Sequence, residues 1–147
     1  MVWGAISLTG RSPLVDVQGR LNAARYVEEI LRPHVLPLLN APHAQFQQDN
    51  ARPHTARLTT AFLNQHQVQV LPWPSLSPDM NPIEHLWDEL DRRVRDREAA
   101  PTNHRGMLEA LQEEWDAIPQ QDIRALIESM PRRCRQLVAA RGGHTPY

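Results

Sequence analysis

The run Ala44-Gln45-Phe46-Gln47-Gln48-Asp49-Asn50-Ala51-Arg52-Pro53-His54-Thr55 sets a short strand, a carboxylate and a helix start side by side. Residues 44–48 read as a strand that ends at Asp49, and Pro53 suits the first turn of a helix because its missing N–H costs nothing there. A carboxylate at the C-terminal end of a strand, beside a helix start, is where open α/β sheets place their sites. Upstream, Val2, Gly4, Ile6 and Leu8 recur at period two, so residues 1–8 read as a strand. Residues 9–12 are a turn signal, residues 13–17 a second strand, and the two together a hairpin. Asn22 is placed to cap a helix with Tyr26, Val27, Ile30 and Leu31 on its apolar face. Pro33 and Pro37 should break or kink that helix. Downstream, residues 68–71 read as a strand and residues 72–80 as a Pro-rich loop. Asn81 caps a strong helix with Pro82 at its first position and Leu86, Trp87, Leu90 and Val94 on one face. Three more helices follow: Leu108, Leu111 and Trp115 in the first, Ile123, Leu126, Ile127 and Met130 in the next, and Cys134, Leu137 and Val138 in the last, ended by Gly142-Gly143. The expected class is α/β with a helical C-terminal part, residues 1–100 forming the core and residues 101–147 the helical part of the same domain.

Composition bounds the possibilities. One hundred and forty-seven residues make one ordinary domain, and 41% apolar content is enough for a core. No apolar run reaches the length of a membrane span, and no basic stretch leads into an apolar run at the start, so neither a membrane anchor nor a secretory signal is expected. A single cysteine, Cys134, excludes an internal disulfide and fits a reducing compartment. All 16 basic residues are arginine, against 17 acids, for a net charge of −1. Charge is segregated: residues 101–128 carry net −4, and residues 129–147 carry four arginines and no acid.

Two carboxylates stand out. Asp49 has the position of a site residue, and an Asx turn made by Asp49 or Asn50 explains it as well. Glu84 stands where a capping-box Glu stands, and capping alone accounts for it. Their pairing favours chemistry: 34 residues separate them, enough for one helix, one strand and a loop to return Glu84 to the end of the Asp49 strand. Two converging carboxylates offer oxygen ligands to Mg²⁺ or Mn²⁺. Asp88 and Asp91 follow Glu84 at i+4 and i+7, either as further ligands or, the preferred reading, as a solvated stripe. His54 is read as a helper near the site or a helix-start hydrogen-bonder, and His85 as a surface residue. Neither has a second His or Cys at zinc-type spacing. Trp73 and Trp87 are read as core. Arg132, Arg133 and Arg135 are candidates for phosphate contact, with a solvated helix face as the equal alternative.

Taken in order, these pieces resemble the C-terminal two thirds of the catalytic domain of a Tc/mariner-superfamily transposase. The segments that carry the resemblance are Met1-Val2-Trp3-Gly4, Gln48-Asp49-Asn50-Ala51 with Pro53-His54-Thr55, Trp73-Pro74, Ser77-Pro78-Asp79-Met80-Asn81-Pro82-Ile83-Glu84 with Leu86-Trp87, and Ser129-Met130-Pro131-Arg132-Arg133-Cys134. Met80 stands where leucine is usual, a volume-conserving change. The resemblance implies a ribonuclease-H-like mixed sheet with flanking helices, and a triad of two aspartates and a glutamate holding two Mg²⁺ (or Mn²⁺) ions. Asp49 matches the second aspartate and Glu84 the last carboxylate. The implied reaction is metal-dependent cleavage of transposon-end DNA and strand transfer to a TA target. The resemblance also implies a nuclear location and a homodimer in the full-length form.

The departure from the pattern is upstream. In the family the first aspartate lies on a strand before the Val-Trp-Gly segment, and helix-turn-helix DNA binding comes before that. Asp16 falls on the following strand and does not take that role. The fold is therefore expected to lack its first, central strand, leaving two strand rows without partners. That expectation carries two others: the chain alone is marginally stable or pairs residues 1–8 in another way, and it is inactive alone. The rival reading is a non-catalytic, transposon-derived fragment acting through nucleic-acid or protein binding.

Overall fold

The N-terminal hairpin forms where the period-two pattern places it. In the computed structural model, which describes residues 1–40, 43–74 and 77–140, strand β1 (Val2–Trp3) pairs antiparallel with β2 (Val15–Asp16), Val2 opposite Asp16 and Trp3 opposite Val15. The ladder is extended by Val17 N–H donating to the Met1 carbonyl at 2.8 Å and by Ser12 N–H donating to the Ala5 carbonyl at 2.9 Å. Buried Ser12 also accepts from Ala5 N–H through its hydroxyl. Residues 1–8 thus pair with the strand next in sequence, and the turn sits slightly early, with Ser7 N–H donating to the Gly10 carbonyl.

Helix α1 begins at Ala23, and Asn22 caps it by accepting from Arg25 N–H at 3.0 Å. It covers Ala23–Arg25, widens over Tyr26–Val35 and tightens over Leu36–Leu39. Prolines 33 and 37 neither end nor sharply break it. Proline has no N–H to give and its ring crowds the carbonyl four residues back; the wide turns, seen in Leu36 N–H donating to the Leu31 carbonyl, accommodate both problems. The predicted apolar face is the core of this region: Tyr26, Val27, Ile30 and Leu31 are buried with Val17, Val35, Phe46, Phe62 and Leu63.

Strand β3 (Gln45–Phe46) pairs parallel with β4 (Gln69–Val70). Between them lie α2 (Arg52–Thr55) and α3 (Arg57–Gln65), separated by an extended Ala56. The inner face of α3 is mixed. Phe62 and Leu63 are buried, Leu58 is exposed, and Thr59 takes the inner place because its hydroxyl donates to the Pro53 carbonyl at 2.6 Å. The two ladders are separate two-stranded pieces among the described residues.

A short turn (Pro78–Met80) leads into α4 (Pro82–Arg95), followed by α5 (His104–Ala117), α6 (Gln120–Glu128) and α7 (Met130–Ala139). Their interior holds Met80, Leu86, Leu90, Val94, Ala110, Trp115, Ile118 and Ile123. Trp87 stacks on Trp115 with ring centroids 5.4 Å apart, so it is a packing residue. The last helix departs from expectation: Arg133 is its buried residue, while Cys134 and Val138 are exposed. Its predicted end at Gly142-Gly143 lies outside the described residues. The chain divides into two compact units, residues 1–5 with 11–77, and residues 6–10 with 78–147. Among the described residues no helix is long and apolar enough to cross a membrane.

Candidate active site

Asp49 follows β3 directly, in the first unit, and its side chain is 64% exposed. Ala51 N–H donates to Asp49 Oδ1 at 2.9 Å, which is the Asx turn expected of this sequence. The same oxygen accepts from His54 Nδ1 at 2.6 Å. An ionised carboxylate only accepts, so the proton sits on Nδ1 of His54. Both bonds fall on Oδ1, and Oδ2 has no hydrogen bond among the described residues. His54 is itself held: its side chain is 16% exposed and its ring packs on Tyr26 with centroids 4.3 Å apart. Tyr26 donates its hydroxyl to Gln48 Oε1 at 2.8 Å. Burial, and after it the charge of Asp49, pushes the Tyr26 phenol above its ordinary range. Asn50 donates from Nδ2 to the Trp73 carbonyl at 2.9 Å, tying the loop to the segment after β4. The Asx turn and the helper histidine are therefore one arrangement: a carboxylate clamped through one oxygen beside a helix start.

Glu84 lies in the first turn of α4, in the second unit. Asn81 caps that helix, accepting from Ile83 N–H at 3.4 Å. The N–H that a capping-box Glu would accept from, that of Asn81, donates instead to the Pro78 carbonyl at 2.8 Å. Asp88 and Asp91 are exposed, and Asp91 pairs with Arg95 at 2.8 Å, as a solvated stripe does. Among the described residues no three His, Cys, Asp or Glu side chains gather as a metal cage.

The arginine candidates separate. Arg132 and Arg135 are exposed on α7. Arg133 is 3% exposed, and its Nη2 lies 2.7 Å from His85 Nε2. That position excludes Arg133 from a solvent-facing phosphate contact. It also moves His85 from the surface to an interior partnership, which no local signal announces, since 48 residues separate the two. Both line a cavity of about 540 Å³ within the second unit, together with Leu86, Arg93, Ile118 and Arg132.

Residues 1–105 match the sequence profile of the DDE superfamily endonucleases. The Tcb1 transposase of Caenorhabditis briggsae is 41% identical over 152 residues, an alignment that takes in all of this chain and 54% of the relative. The chain spans about half the length of the curated relatives it matches. In fold it is similar to the Mos1 transposase catalytic domain solved with Raltegravir and Mn, with a TM-score of 0.79 at 24% identity, covering 98% of this chain and 75% of the other. It is similar too to the Mos1 transposase in a paired-end complex with the left transposon end, with a TM-score of 0.79 at 25% identity, covering 97% of this chain and 43% of that one.

Proposed function

Because the chain belongs to the DDE superfamily endonucleases, among the Tc/mariner transposases, we propose that it is the part of a transposase catalytic domain in which Asp49 and Glu84 hold Mg²⁺ or Mn²⁺ for DNA cleavage and strand transfer. Its fold is ribonuclease-H-like. The observation that carries the reading is the Asp49 carboxylate, fixed by Ala51 N–H and His54 through one oxygen. Carboxylate oxygens are what a hard divalent cation takes, and a histidine that orients a carboxylate is the kind of outer partner that metal ligands keep. A bound metal would polarise the scissile phosphate and activate the attacking oxygen. The residues of this chain do the rest: His54 orients Asp49, and the first turn of α4 bears Glu84. Arg132 and Arg135, exposed on α7, are the proposed phosphate contacts, with transposon-end and TA-target DNA as the partner. A nuclear location and a full-length homodimer belong to the same reading.

The test is Mn²⁺ binding followed by electron paramagnetic resonance of the free ion. Asp49→Asn and Glu84→Gln keep shape and remove charge, and each should weaken binding by at least about tenfold. Unchanged binding in both variants overturns the metal reading and leaves the non-catalytic, nucleic-acid-binding fragment as the function to pursue.

A further inference from the structure

Arg133 is buried on a helix whose neighbouring residues Arg132, Cys134 and Arg135 are all exposed. Burying a guanidinium is costly unless it is hydrogen-bonded. One of its partners is His85, whose Nε2 lies 2.7 Å from Arg133 Nη2. Arginine can only donate, so Nε2 of His85 is the acceptor in this bond. The bond therefore fixes geometry and cancels no charge. His85 is the residue after Glu84, in the first turn of α4. On the other side of Glu84, α7 also packs against the Pro78–Met80 turn that feeds this helix, where Met80 is buried. The local cap is weak, with Asn81 accepting from Ile83 N–H at 3.4 Å. A tertiary tie from α7 thus reaches the turn that bears Glu84.

We propose that Arg133 is a positioning residue for Glu84: by holding His85 against α7 it orients the first turn of α4 and so the carboxylate that ligates the metal. The proposal rests on Glu84 being a ligand, as above. It gives the Ser129–Cys134 motif a role within the catalytic segment, and it divides the two adjacent arginines, Arg132 facing outward and Arg133 acting inward.

The experiment is the Mn²⁺ titration of the chain, with thermal melting of every variant. Arg133→Ala and His85→Leu should each raise the Mn²⁺ dissociation constant about tenfold, as losing an outer-shell partner does. His85→Gln keeps an acceptor oxygen for the guanidinium and should bind as the parent does. Adding Arg133→Ala to Glu84→Gln should weaken binding no further, since the two act through one group. A lowered melting temperature with unchanged Mn²⁺ affinity in Arg133→Ala means a merely structural role and overturns the proposal. Should Arg133→Ala fail to fold, the His85 pair decides: equal affinities in His85→Leu and His85→Gln overturn it. Unchanged binding in Glu84→Gln overturns the metal reading of Glu84 and this proposal with it, whereas a loss in Glu84→Gln beside normal binding in Arg133→Ala and His85→Leu overturns the positioning role alone.

Discussion

Tyr26 serves the first unit twice. Its ring is buried and packs on His54, and its hydroxyl donates to Gln48 beside Asp49. Burial first, and the Asp49 charge second, hold the phenol protonated well above its ordinary value of 10.0. The unfolded chain ionises this phenol above pH 10 and the folded chain does not. The stability tied to the protonated form is therefore fully present below pH 10 and is lost as pH rises beyond it. Urea midpoints measured at pH 8 and pH 11 should fall steeply in the parent chain and less in Tyr26→Phe. At pH 8 the variant should be less stable by about 1 kcal/mol, the worth of one hydrogen bond. Equal falls in both chains would count against the phenol as the source. Asp49 and His54 were legible in the sequence because strand end, Asx turn and helix start are all local signals. His85 was not, because what distinguishes it from a surface histidine is a partner 48 residues away.

Helix α7 shows how an element can be found while its inner face is misread. Its span follows from the sequence pattern, but Cys134, Leu137 and Val138 were the expected inward set, and Val138 is 77% exposed while Arg133 is inside. Periodicity ranks side chains by hydrophobicity and so turns an arginine outward; a hydrogen-bonded interior place for the guanidinium reverses that order. Helix α1 teaches a related lesson. Its cap and apolar face were readable, yet Pro33 changed the turn width instead of ending the helix, because five buried side chains hold the stretch in place. The split among the arginines has a measurable consequence at this scale. DNA affinity measured against salt should lose about one unit of log–log slope for each of Arg132→Ala and Arg135→Ala. Arg133→Ala should leave the slope unchanged. A slope that responds to Arg133→Ala as it does to the other two would return all three to one basic face.

Across the whole chain, helices carry the burial and the strands contribute little. Each ladder is two strands of two paired residues, and among the described residues no strand has partners on both sides. Two-stranded pieces are marginal in water by themselves. The strands were found near their places in the sequence, but their paired lengths were overestimated, since side-chain alternation reports which face is buried and says nothing of whether a neighbouring strand is there to continue the ladder. What holds β3 is Phe46, packed under α1 with Phe62 and Leu63. Gln47 adds a cost, because its Nε2 is buried with no acceptor among the described residues. The order of local stability follows. In native-state hydrogen exchange, amides of Ile30 and Leu31 should open only with the first unit's core. Those of residues 44–48 should open at a free energy lower by at least about 2 kcal/mol, as weakly covered segments do. A single cooperative, monomeric transition, with residues 44–48 protected as strongly as α1, would mean that the ladder is far more stable than two paired residues allow. With the expected gradient, the carboxylate at the end of β3 sits on the least protected part of its unit, and anything that pairs with the strand or binds Asp49 should raise protection there before it does so in α1.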